Sequence, residues 1–198
     1  MFRLAHVSDP HLGPLPEPRL RELVGKRVLG YINWRLNRGR GGMRAAVLDD
    51  LVDDLVTHRP DHVAVTGDIV NIALDAELEP ARRWLSSLGN PRDVSAVPGN
   101  HDAYVPGALK RAAEAWAPFV KGDMGEAGRF PFCRRRGPLG IVGVSSAEAT
   151  APFMATGRFD ASQAMRVAEL LDRYRHEGLY RVVLIHHPPS KKPIHWAG

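Results

Sequence analysis

The chain has 198 residues, 44% hydrophobic and 25% charged, which supplies one packed core and excludes a disordered, collagen-like or low-complexity polypeptide. A single cysteine, Cys133, excludes an intramolecular disulfide framework, and no apolar run approaches the length of a membrane span. The net charge of +5 is unevenly placed: between Pro14 and Arg44 eight basic residues meet two acidic ones, so the remainder of the chain is slightly acidic.

Phe2 to Val7 is a short apolar run ending in Ser8-Asp9-Pro10-His11 and reads as a strand that delivers polar side chains into a loop. The same N-terminal residues lack the charged lead, long apolar stretch and cleavage site of a secretory signal, so the expected location is the cytoplasm. Met43 to His58 places Ala46, Val47, Leu51 and Leu55 at helical spacing, and Arg59-Pro60 ends that helix. His62 to Thr66 is a second strand, closing on Gly67-Asp68. Leu74 to Leu88 is helical in pattern, with a break expected at Pro80. Val94 to Val97 is a third strand, followed by Pro98-Gly99-Asn100-His101-Asp102 and a helix over about Gly107 to Trp116. Phe130 to Arg135 and Gly140 to Ser145 read as antiparallel strands joined at Gly137-Pro138, Ala161 to His176 as a helix, and Arg181 to Ile185 as a last strand entering His186-His187-Pro188-Pro189. Alternation of strands and helices over residues 1–198 indicates one α/β domain.

Four strand ends carry side chains suited to metals: Asp9 and His11, then Asp68, then Asn100, His101 and Asp102, then His186 and His187. In open α/β sheets the crevice beyond the carboxyl ends of the strands is where ligands bind, so the fold should gather these residues. Carboxylate, imidazole and amide donors without a thiolate suit Mn²⁺, Fe²⁺, Zn²⁺ or Mg²⁺. Gly67 and Gly99 precede two of the donors, where tight turns and close backbone approach are expected. No Gly-x-Ser-x-Gly elbow or cysteine arrangement suggests a covalent intermediate.

The series Asp9-Pro10-His11, Gly67-Asp68, Gly99-Asn100-His101-Asp102 and His186-His187-Pro188-Pro189 resembles the signature of the calcineurin-like metallophosphoesterases, in order and spacing. The resemblance implies a sandwich of two mixed β-sheets flanked by helices and a centre of two divalent metal ions. Asp9 and His11 would hold one metal, Asp68 would bridge, and Asn100 and His186 would hold the other. His101 would be the general acid, with Asp102 orienting it, and a bridging water of lowered pKa would attack the phosphorus. By position His186 is preferred to His187 as the ligand. The implied activity is a phosphodiesterase or pyrophosphatase acting on a nucleotide or nucleotide-lipid. The family pattern closes with Gly-His-x-His, which this sequence does not contain and which His195-Trp196 does not replace, so the sheet and the site are expected to be C-terminally incomplete. That departure admits a competing expectation, a non-catalytic module of the same fold that docks a membrane or partner through its basic insertion. An open sheet edge would also invite self-association into a homo-oligomer.

The basic insertion at about 14–44 has Leu20, Leu23, Val24, Val28, Tyr31, Ile32 and Leu36 at nearly helical spacing among Arg21, Lys26, Arg27, Arg35 and Arg38. Gly25 and Gly30 weaken it as an isolated helix. It is expected beside the Asp9-His11 loop, either packed with solvated arginines or meeting a substrate phosphate or an anionic inner-membrane surface through Arg19 to Arg38. Nucleic acid is less supported, because Tyr31 and Trp34 are the only aromatics within it. His6 reads as a core residue, His58, His62 and His176 as element ends or surface, Cys133 as packing, and Arg134-Arg135-Arg136 as a solvated strand end.

Overall fold

A computed structural model describes residues 1–37 and 42–189; Arg38, Arg40, His195 and Trp196 lie outside them. The strands are β1 (Leu4–Val7), β2 (His62–Thr66), β3 (Val94–Val97), β4 (Phe132–Arg136), β5 (Leu139–Gly143) and β6 (Tyr180–Leu184). The helices are α1 (Lys26–Asn37), α2 (Gly42–His58), α3 (Asp75–Ser87), α4 (Ala108–Ala115) and α5 (Ala161–His176), with one 3₁₀ turn at Leu20–Glu22.

Two three-stranded sheets result. In the first, β1, β2 and β3 lie side by side in parallel, with Ala5 opposite Val63 and Ala64 opposite Ser95. In the second, β4 pairs antiparallel and β6 parallel to the central β5. The residues of β2 and β3 are buried on both faces, the condition that demands continuous apolar runs in parallel strands. One face of the first sheet, through Val63, Val65, Val94 and Ala96, packs against Ala81 and Leu85 of α3 and Ala112 and Trp116 near α4. The other face, through Ala64 and Val97, meets Phe132, Leu139, Ile141 and Leu184 of the second sheet. Beyond that sheet, Val142 packs on Val167 and Tyr174 of α5. The layers therefore run helices, sheet, sheet, helix, which is the expected sandwich.

Several local expectations change. Helix α3 continues through Pro80; Ala81 and Leu85, which follow the tolerated ring, are fully buried. Glu77 secures the start of the helix by accepting backbone N–H bonds from Asn71 at 2.6 Å and Leu74 at 2.8 Å. Burial pushes the Glu77 carboxyl above the usual range. His6 is exposed, not core, and bonds Thr66 Oγ1 at 2.7 Å. His62 is fully buried, not a surface residue, and bonds Ser95 Oγ at 2.8 Å. Arg134 is buried rather than solvated: its guanidinium donates to the carbonyls of Lys121, Pro91, Val94 and Pro118 at 2.7–2.8 Å. Among the described residues no helix is long and apolar enough to cross a membrane.

The basic insertion places Tyr31 and Trp34 of α1 against the main core, while Leu20, Val24, Ile32 and Leu36 stay exposed. Arg27 is not simply solvated; its Nε donates to the Ile72 carbonyl at 3.1 Å and an Nη to that of Ala73. Gly30 has a packing reason: a Cβ there would lie 2.8 Å from Ile72 Cγ2 and collide with the Tyr104 hydroxyl. The glycine that weakens α1 as an isolated helix is what lets it seat on the loops after β2 and β3.

Candidate metal centre

The loops after β1, β2, β3 and β6 converge at the carboxyl end of the first sheet. The β1 loop is laid along the β2 loop by backbone bonds from Asp9 to Gly67, from His11 to Asp68 and from Leu12 to Ile69, at 2.9–3.1 Å. Asp9, His11 and Asp68 all have positive φ, at 54°, 42° and 53°. Three non-glycine residues in the left-handed region within one small site mark a conformation that the surrounding structure imposes. Gly67, at φ 84°, and Gly99 have no room for a side chain, since a Cβ on either would lie 2.8 Å from the His186 ring.

Asp68, 4% exposed, is the hub. His11 Nε2 lies 3.7 Å and His101 Nε2 4.0 Å from its Oδ2, and His186 Nε2 lies 3.5 Å from its Oδ1, which also accepts the backbone N–H of His101 at 2.8 Å. Each of these three rings turns its other nitrogen to a backbone carbonyl: His186 Nδ1 to Thr66 at 2.7 Å, His11 Nδ1 to Val70 at 3.3 Å, and His101 Nδ1 to Asn71. A carbonyl can only accept, so Nδ1 holds the proton in every ring, and a neutral ring presents the Nε2 lone pair to the Asp68 carboxylate. Three lone pairs aimed at one anion repel it and one another unless positive charge lies between them. That donor chemistry fits bound cations.

Among the described residues, two sets of donor atoms each lie within 4.8 Å of one another, Asp9, Asp68 and His186 in one set and His11, Asp68 and His101 in the other. Asp68 is common to both, and Asp9 groups with His186 rather than with His11. Asn100 Oδ1 lies 3.2 Å from His186 Nε2 and is placed to join the first group. Ser8 Oγ donates to the exposed Asp9 carboxylate.

His187 turns away from the cluster. Its Nδ1 meets Ser146 Oγ at 2.8 Å, and burial first, then the His186 ring, holds its imidazole below the ordinary range. Asp102 corrects the sequence reading in a different way. It does not touch the His101 ring; it accepts from the backbone N–H groups of Ile69, Val70 and Gly99 at 2.8–3.1 Å, tying the β2 loop to the β3 loop. Complete burial, then the Asp68 charge, pushes its carboxyl up to about 7. The His101 ring is instead set by the Asn71 carbonyl, by an edge contact with His11 at 4.7 Å and by stacking on Tyr104 at 5.4 Å. Tyr104 and Asn71 carried no sequence signal, since neither belongs to a motif of metal-binding residue types.

The family model described as calcineurin-like phosphoesterase matches residues 2–198. A glycerophosphodiester phosphodiesterase, GpdQ of Enterobacter lignolyticus, is 34% identical over 101 residues, covering 50% of this chain and 29% of its own length. The chain thus spans less than a third of that relative. Among solved structures, TT1561 of Thermus thermophilus superposes with a TM-score of 0.55 at 17% identity, over 100% of this chain and 73% of its own, a likeness of fold.

Proposed function

Because the chain belongs to the calcineurin-like phosphoesterase family, we propose that it is a metal-dependent hydrolase of small phosphodiesters or pyrophosphates, a nucleotide or nucleotide-lipid among them. Asp9, His11, Asp68, Asn100 and His186 would hold two divalent cations, Mn, Fe, Zn or Mg. The observation that carries this reading is the convergence of His11, His101 and His186 on Asp68 with every Nδ1 pinned to a carbonyl. The stretch shared with a relative named for diester hydrolysis favours diester over monoester substrates.

Cations bound there would polarise the phosphoryl oxygens, offset charge in the transition state and make water nucleophilic near neutral pH. The chain's own groups do the rest. Asp68, held by the His101 backbone N–H, keeps a negative charge at the centre of the histidines. His101, whose Nδ1 always carries a proton against the Asn71 carbonyl, acts as acid only as the imidazolium and gives its Nε2 proton to the leaving oxygen. Asp68, 4.0 Å away, steadies that cation. Asp102 is a positioning residue, acting through the loops it fastens.

The test is Asp68→Ala in the full-length protein, with metal content and turnover of bis(para-nitrophenyl) phosphate measured together. We expect the metal to be lost and turnover to fall to background. Full metal occupancy with near-normal turnover in the variant overturns the assignment.

A further inference from the structure

Beside His101 the site opens into a hollow of about 340 Å³ between α1 and the segment following β5. Leu29 and Gly30 line one side, Phe153 and Met154 the other, with Tyr104 and Lys26 between them. Phe153 is 93% exposed and has φ 64°, so its ring is presented to solvent at the rim by a backbone conformation that only a constrained segment retains. Lys26 Nζ donates to Thr150 Oγ1 at 2.9 Å, and that hydroxyl donates in turn to the Met154 carbonyl at 2.6 Å. The same ammonium lies 4.5 Å above the Tyr104 ring centroid, and the other face of the contact chain is His101, stacked on Tyr104. No carboxylate opposes Lys26 among the described residues.

An ammonium has three donors, and here one meets a hydroxyl while the aromatic face satisfies charge without accepting a full hydrogen bond. A cation kept beside a phosphoester site without an anionic partner is a binding group for an oxyanion. We propose that Lys26, held in place by the Thr150 hydroxyl and the Tyr104 ring, forms a subsite for a second anionic group on the leaving-group arm of the substrate, whose carbon skeleton lies on Leu29 and Phe153. The proposal deepens the hydrolase reading and rests on it: the leaving oxygen takes its proton at His101, and Lys26 stands one stacked ring farther out. Phosphate and carboxylate satisfy the subsite alike, and a quaternary ammonium is repelled. Gly30 and Arg27, by seating α1 on Ile72, fix where the ammonium sits.

The test compares methyl phosphodiesters of para-nitrophenol and of meta-carboxy-para-nitrophenol, leaving groups that differ by one carboxylate, on the metal-loaded full-length protein. The expected result is a preference in kcat/KM for the carboxylated ester that falls about tenfold in Lys26→Gln, less in Thr150→Val, and is partly restored in Lys26→Arg. Metal content and unfolding midpoint of each variant, unchanged, separate this from misfolding. Equilibrium dialysis of the two free phenols against the same proteins reads the subsite without turnover: the wild type should hold the carboxylated phenol more tightly, and Lys26→Gln should lose the difference. If dialysis shows that preference while neither ester is hydrolysed, the subsite stands and the hydrolase reading falls. Equal binding of both phenols by the wild type, or a preference that survives Lys26→Gln, overturns the subsite.

Discussion

A histidine with no exposed surface and two arginines acting on it folds most readily in the neutral form. His62 is such a residue: burial first, then Arg134 and Arg136, lowers its pKa from 6.5 to about 4. Between those values the unfolded chain takes up a proton that the folded chain refuses, so stability falls as pH drops from 6.5 towards 4 and is unaffected above that window. The full shift corresponds to an upper bound of about 3 kcal/mol. We expect the urea midpoint of the wild type to decline through that window more steeply than that of His62→Gln; parallel curves would contradict it. The sequence could not show this, because burial of a polar ring depends on what lies across the sheet, here Ser95 on the neighbouring strand. The convergence of the proposed donors was legible for the opposite reason. Asp68 and His186 follow strands directly, and the fold sends every strand end to one crevice. The grouping of Asp9 with His186 was not legible, since it depends on how two loops lie across each other.

At the scale of elements, apolar runs and their punctuation located every strand within two residues and α5 to the residue. The failures arise where a tertiary contact outweighs a local signal. Pro80 reads as a break, yet α3 passes through it because Ala81 and Leu85 anchor the next turn in the core. The run Arg134-Arg135-Arg136 reads as solvated, yet the first arginine is a clamp that fastens β4 to the start of β3 and to the segment after α4. Burial, then Arg136, lowers its pKa to about 10. Arg134→Met would leave several of those carbonyls without a donor, and we expect a loss of roughly 2–4 kcal/mol in urea unfolding. Arg134→Lys should recover less than half of it, since one ammonium cannot replace the planar fork. Full recovery by lysine would show that charge, not geometry, is what the site requires.

Across the whole molecule, α1 brings part of the basic surplus of the 14–44 insertion to the rim of the site, with Lys26 lining the hollow and Arg27 engaged in packing. The rest of the sequence carries no comparable excess of positive charge, and Lys26 presents one such charge to an anion beside the cleft.

The donor cluster also straddles the seam of the sandwich. Asp9, Asp68 and Asn100 follow strands of the first sheet, while His186 follows β6 of the second and crosses to bond Thr66 and approach Asn100. Any cation gripping both sides is therefore a rivet, and occupancy becomes a thermodynamic brake on separating the layers. With metal at one hundred times its Kd, the unfolding free energy should rise by about 2.7 kcal/mol. His186→Ala should abolish most of that gain, beyond the lower metal-free midpoint expected from losing its bond to Thr66, and amide exchange along β6 should slow on loading in the wild type alone. Reciprocity gives the same rivet a second face. A methyl-deleting change such as Ile141→Val, buried between the sheets and not itself a donor, loosens the seam, so that a larger share of the loaded protein's stability then rests on the cation.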